Sequence, residues 1–187
     1  MTYLLGVDVA RAGEDSSVFI VIKQGEEDQP HKVVYIKEIA KNTIDGAVTF
    51  TKELDSLFHF RKIYVDCTGL GAGFYDYLAR DMNPPKKMGN DKVSIPNKAL
   101  DKVIGVTFTI KTKIDIYSNL KILMEQGKLK FPKHPKLISQ LLDFRYETTE
   151  SGNMKLHHSE GGHDDCTDAL ALAAYGLRSK EAVWFFG

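Results

Sequence analysis

Apolar and polar positions along this chain fall into runs of two distinct periods. Tyr3 to Val9 is almost wholly apolar and closes on Asp8, the pattern of a buried strand. A polar turn, Arg11 to Asp15, leads into Ser17 to Lys23, which is β-branched and apolar and predicts a second strand. After a turn over Gln24 to Pro30, Lys32 to Ile39 alternates and predicts a third. Strands joined by short polar turns make an antiparallel meander.

The period then lengthens. A helix is predicted from Asp45, with Val48, Leu54, Leu57 and Phe58 apolar. Ile63-Tyr64-Val65 is the centre of a short buried strand, Lys62 to Asp66. Gly69, Gly71 and Gly73 make a turn into a helix over Phe74 to Met82, stopped by Pro84-Pro85. Lys86 to Lys102 is polar and predicts an exposed loop, and Val103 to Phe108 predicts another strand. Lys113 to Gln126 is a helix with Ile116, Leu120 and Leu123 on one face and Gly127 as its stop. Pro135 to Leu142 is a shorter helix. Phe144 to Thr148 and Asn153 to His157 pair as a hairpin around Ser151-Gly152. An alanine-rich helix closes the pattern from His163 to Leu177. Strands first and βα alternation afterwards predict an α/β fold: a mixed central β-sheet flanked by helices, with an additional hairpin.

Composition narrows the class. The 187 residues are 43% apolar and 27% charged, which fits one globular domain over 1–187. Two cysteines exclude a disulfide framework, and no C-x-x-C pair suggests structural zinc. No apolar run approaches the roughly 18 residues of a membrane span, and the start lacks a basic secretory lead, so no membrane role is expected. The 25 basic and 25 acidic residues balance, but unevenly along the chain. Pro84 to Lys136 holds twelve lysines and four acids, a net +8, and the rest carries −8. A basic middle with acidic flanks suits a protein that grips a polyanion and also holds cations. Solvated helix faces are the alternative reading of the same lysines.

Carboxylates stand at the ends of predicted elements. Asp8 closes the first strand, Asp66 closes the fourth, and Asp164, Asp165 and Asp168 open the last helix. Asp165 and Asp168, at i and i+3, share a helix face, as do Asp164 and Asp168 at i and i+4. If the first and fourth strands are neighbours, Asp8 and Asp66 meet at one edge, and a close-packed alanine helix brings Asp165 to the same point. Carboxylates gathered there resist ionising unless a cation neutralises them. Hard divalent ions prefer oxygen ligands, and two of them about 4 Å apart suit phosphodiester hydrolysis. The alternative is that Asp164 caps its helix and that Asp8 and Asp66 serve turns. Asp15 either faces the metals or closes its turn. His157, His158 and His163 lack the spacing of a zinc site on one helix, and His163 is an outer or proton-handling candidate. Cys67 and Cys166 read as small packing residues.

Three segments in order carry a resemblance: Gly6-Val7-Asp8-Val9-Ala10 with Asp15 downstream, Val65-Asp66-Cys67-Thr68-Gly69-Leu70-Gly71, and His163-Asp164-Asp165-Cys166-Thr167-Asp168-Ala169-Leu170-Ala171. Val103 to Val106, Lys113, Tyr117 to Leu120 and Gly127 to Pro132 extend it. The chain resembles the nuclease domain of tailed-bacteriophage terminase large subunits. The resemblance implies an RNase H-like fold akin to RuvC-type resolvases and metal-dependent cutting of double-stranded viral DNA during packaging, in the cytoplasm of the infected bacterial host. It implies Asp8, Asp66 and Asp165 as catalytic and metal-binding residues with two Mg²⁺ or Mn²⁺ ions. Asp168 enters by the Asp-x-x-Asp pattern, and Asp164 is a further metal candidate. The family's ATPase motor domain would precede this one, and portal and small terminase subunit would be partners. No G-x-x-x-x-G-K-[S/T] phosphate loop occurs, so the motor domain is not expected within this chain.

Lysines would supply phosphate contacts without sequence readout. Lys86, Lys87, Lys92, Lys98, Lys111 and Lys113 are the candidates, and little base specificity is expected. Three other readings remain open: a structure-selective RuvC-type junction resolvase, a fragment of a sugar-kinase or actin-like ATPase, and a catalytically inert module that binds DNA or the motor. The ATPase reading needs two lobes, for which 187 residues is short.

Overall fold

The computed structural model describes residues 1–9, 16–84, 100–143, 145–148, 154–157 and 164–178. Its elements follow the predicted order: β1 (Tyr3–Asp8), β2 (Ser16–Lys23), β3 (His31–Ala40), α1 (Ile44–Phe58), β4 (Lys62–Asp66), α2 (Gly71–Met82), β5 (Val103–Val106), α3 (Ile110–Glu125), β6 (Leu129–Lys130), α4 (Pro135–Asp143), β7 (Arg145–Thr148), β8 (Met154–His157) and α5 (Asp165–Tyr175). Six strands form one mixed sheet in the order β5-β4-β1-β2-β3-β6, and β7 and β8 pair separately as the predicted hairpin. The meander is antiparallel, whereas β4 runs parallel to both β1 and β5.

The sheet is buried on both faces because its strands are apolar on both. Leu4, Val18, Ile20, Ile22 and Tyr64 join a core with α3, α4 and α5, while Leu5, Val7, Phe19, Val21, Ile63 and Val65 join a second core with α1 and α2. That assignment follows from the two-residue period of a strand. It also fixes where the strand ends point, since Asp8 follows Leu4 and Gly6 on the α5 face and Asp66 follows Tyr64 on the same face.

Several boundaries move from their predicted places. Helix α3 starts at Ile110 rather than Lys113 because Thr109 and Thr112 form a reciprocal cap: each hydroxyl accepts from the other's backbone N–H. Strand β5 ends at Val106, since the chain must turn into that cap, and not at Phe108. Helix α2 already begins at Gly71, and α5 begins at Asp165. Strand β6 is too short to show a period; it is defined by pairing with His31 and Lys32. Most of the loop predicted over Lys86 to Lys102 lies outside the described residues.

Helix α5 is buried from Cys166 to Ala174, which is why its sequence is small and apolar all round. It presses directly on β1. A side chain at Gly6 would overlap the Ala169 carbonyl oxygen and the Ala173 nitrogen, so only glycine permits this approach. Ala169 and Ala173 continue at four-residue spacing from Asp165, which directs the acidic start of α5 toward the end of β1.

Gly6→Ala should therefore lift α5 off the sheet. The expected cost is about 3 kcal/mol of stability, read from the midpoint of urea denaturation with an unchanged slope.

Candidate active site

The site is assembled at the carboxyl ends of two parallel strands. Val7 of β1 pairs in register with Val65 of β4, so Asp8 and Asp66 leave neighbouring strands side by side. Strands in that direction are about 4.8 Å apart. The carboxyl edge of parallel strands is where open α/β sheets present ligands. Helix α5 contributes Asp164, Asp165 and Asp168 from above Gly6.

Electrostatics report the gathering. The Asp8 carboxyl is pushed well above the ordinary aspartate value, first by burial and then by the charges of Asp168, Asp66, Asp165 and Asp164. Asp66 is raised by burial, while its hydrogen bonds with Thr68 and the Lys113 charge act the other way. Its Oδ1 accepts from the Thr68 N–H at 2.8 Å, so Asp66 shapes its turn and faces the cluster together. Asp168 is only 5% exposed, and burial raises it to about 7 against the pull of Lys113.

Helix α3 supplies the counter-charge. Lys113 Nζ lies 2.6 Å from Asp164 Oδ2 and 3.1 Å from Asp168 Oδ2. One turn later the Tyr117 hydroxyl donates to Asp168 Oδ1. Burial lowers the Lys113 ammonium, but Asp168 and Asp164 more than reverse this, so it stays charged. Lys113, which the sequence also offers as a phosphate contact, sits within the acidic cluster. Two fixed carboxylates attract it more strongly than open solvent. Lys111 is exposed, as that reading requires.

Asp164 occupies the N-cap position, yet its side chain makes no capping bond. The side-chain Oε1 of Gln140 on α4 takes the first-turn donors instead, accepting from Cys166 N at 3.0 Å and Thr167 N at 3.2 Å. Gln140 thereby pins the end of α5 that carries the carboxylates. The sequence carries no plain signal for it, because a buried glutamine on a short amphipathic helix looks like any polar position. Lys113 and Tyr117, by contrast, stand at i and i+4, a spacing that can put both on one carboxylate.

Glu38 of β3 lies in the same cross-strand row as Asp8, with Val18 between them. It is held by Lys136, and the Cys166 thiol donates to its Oε1 at 3.5 Å. Burial first and then Glu38 push that thiol up to about 12, and burial first and then Asp66 push Cys67 to about 11. Both cysteines are neutral packing groups; Cys67 fills the space over Gly105. Asp15, His163, His158, Lys86, Lys87, Lys92 and Lys98 lie outside the described residues.

The donor set suits a hard divalent cation, since it is all carboxylate oxygen and too negative to be comfortable alone. Among the described residues no three Asp, Glu, His or Cys side chains close far enough to hold a metal ion. Asp8 is surrounded by like charges, and Lys113 engages Asp164 and Asp168. Among the described residues no helix is long and apolar enough to cross a membrane.

Known proteins share this architecture. The large terminase nuclease of thermophilic phage G20c, in a structure with bound magnesium, superposes with a TM-score of 0.72 at 24% identity, covering 93% of this chain and 80% of that one. The nuclease domain of g2p, the large terminase of bacteriophage SPP1, in a structure with bound Mn, gives a TM-score of 0.59 at 12% identity, covering 95% of this chain and 88% of that one. In sequence, the large terminase subunit of Thermus virus P23-45 is 26% identical over 183 residues, 98% of this chain. The match spans 33% of that relative, so this chain corresponds to about a third of its length. The mixed sheet with helices on both faces is an RNase H-like fold. A family model described as Terminase RNaseH-like domain matches residues 5–175, from the strand that carries Asp8 through the helix that carries Asp165, and on that match the chain belongs to the terminase RNase H-like domain family.

Proposed function

We propose that this chain is a divalent-metal-dependent endonuclease that hydrolyses double-stranded viral DNA during genome packaging, with little sequence specificity. One observation carries the reading: Asp8 and Asp66 end adjacent parallel strands, and α5, packed on Gly6 through Ala169 and Ala173, brings the charges of its acidic start to bear on Asp8. Solved relatives with bound magnesium, cobalt, zinc or Mn support a divalent ion at such a site.

Asp8, Asp66 and Asp165 would hold two Mg²⁺ or Mn²⁺ ions. The ions would activate a water and stabilise the leaving oxygen of the phosphodiester. The chain's own part is placement. The β1–β4 register sets two carboxylates, Gly6 and Gln140 set the depth of α5, and Lys113 and Tyr117 fix Asp168 and Asp164. Phosphate contacts fall to lysines of the basic middle segment, including Lys86, Lys87, Lys92, Lys98 and Lys111. In the complete protein an ATPase domain, portal and small terminase subunit would be partners, within the host cytoplasm.

Asp8→Asn, Asp66→Asn and Asp165→Asn should each lower plasmid cleavage with Mg²⁺ or Mn²⁺ at least about a hundredfold, since each removes a charge that the reaction uses. Cleavage at the wild-type rate in Asp8→Asn would place the chemistry at another site or in a contaminant. Anomalous scattering from crystals soaked in Mn²⁺ would count the ions.

The raised carboxyls give a stability test. Asp168 titrates at about 7 in the folded chain against 3.8 for an ordinary aspartate. Between those values the folded chain holds a proton that the unfolded chain has released, so stability falls as pH rises through that window. Without divalent ions, melting should drop by roughly 3 °C or more from mildly acidic to mildly alkaline buffer, about 1 kcal/mol. Asp168→Asn should flatten that fall, and added Mg²⁺ should offset it.

Charge reversal of Lys86 together with Lys87 should weaken DNA binding and reduce the slope of log affinity against log salt by about 2. An unchanged slope in a fluorescence-anisotropy titration would remove these lysines from the interface.

A further inference from the structure

Lys113 is placed where a metal ion's charge would act. Its ammonium rests on Asp164 and Asp168, at 2.6 and 3.1 Å, with the Phe108 and Tyr117 ring centroids 5.2 and 5.7 Å away. Its side chain is 20% exposed. Two carboxylates and two ring faces make this a held cation rather than a mobile surface one. Asp168, which it neutralises, is also the carboxylate whose charge acts most strongly on Asp8.

We propose that Lys113 is a built-in counter-ion that antagonises divalent-ion binding at the carboxylate cluster, so that ion loading weakens its hold on Asp164 and Asp168. The inference rests on the reading of Asp8, Asp66 and Asp165 as a divalent-ion site. An ammonium and a divalent ion draw on the same negative charge and repel each other across a buried site. Coupling of this kind is reciprocal: if the ion loosens Lys113, then Lys113 lowers ion affinity by the same factor. Lys113 also stabilises the cluster when no ion shares its charge, which accounts for a lysine in so buried a place. A lysine serving only to hold α3 against α5 would act oppositely, since its loss would disorder the cluster and weaken ion binding.

The test is calorimetric titration of Mn²⁺, without DNA, in mildly alkaline buffer. Lys113→Met and Lys113→Gln should bind Mn²⁺ roughly tenfold more tightly than wild type, an ordinary coupling magnitude, and Lys113→Arg should stay near wild type. Unchanged or weaker binding in the two neutral variants, with melting curves showing them folded, overturns the proposal. A second measurement uses the unaltered chain. The side-chain Nζ and Cε resonances of Lys113 should shift with Mg²⁺ and saturate with the binding isotherm. Resonances that stay put while Mg²⁺ binds overturn the role of Lys113 alone. If wild type binds neither ion, the metal-site reading fails and this inference fails with it.

Discussion

Helix α5 reaches its place only because residue 6 of β1 has no side chain. The helix backbone rests on Gly6, and the alanines at four-residue spacing let it rest there along its length. This contact sets the distance between the acidic helix start and Asp8, two residues further along the same strand. The site is thus a by-product of close packing: the residue types that carry charge are held by residue types that carry almost nothing. Like charges are brought together by apolar burial elsewhere in the same helix, from Cys166 to Ala174. Burial of that stretch is favourable by tens of cal/mol for each Å² removed from water, and it is what opposes the repulsion at the helix end.

The repulsion itself is shared unequally. Asp66 has the Thr68 N–H, and Asp164 and Asp168 have Lys113, while Asp168 also has Tyr117. Asp8 sits among all of them, and burial and their charges push its carboxyl well above the ordinary value. A group in that position gains most from a cation nearby. The same logic explains why capping of α5 passes to Gln140. A neutral carbonyl oxygen satisfies the helix donors without adding charge, and leaves the Asp164 carboxylate for the lysine.

Much of this was legible in the residues. The order of strands and helices follows from period, and Asp8, Asp66 and Asp165 stand out because each ends or begins an element. That β1 and β4 lie side by side stood in the sequence only as a condition, and the sheet meets it with a parallel pairing. What period cannot show is which side chain reaches across space. Lys113 read as one more lysine in a basic segment, because composition sees its charge and not its two carboxylate partners. Gln140 carried no signal at all, and β6 was too short to have a period. Boundaries shifted where capping chemistry decided them, as Thr109 and Thr112 did for α3.

The distinction between Asp165 and Asp168 shows why geometry and pattern must be read together. By spacing the two are equivalent, one turn apart at the head of one helix. In the fold they separate: Asp168 turns toward α3 and accepts from Tyr117 and Lys113, whereas Asp165 continues the line of Ala169 and Ala173 along β1. A carboxylate bound by an ammonium and a phenol shares its charge with both. The helix therefore does not present its acids alike: Asp168 is taken up by α3, although its charge also bears on Asp8 more strongly than that of Asp165.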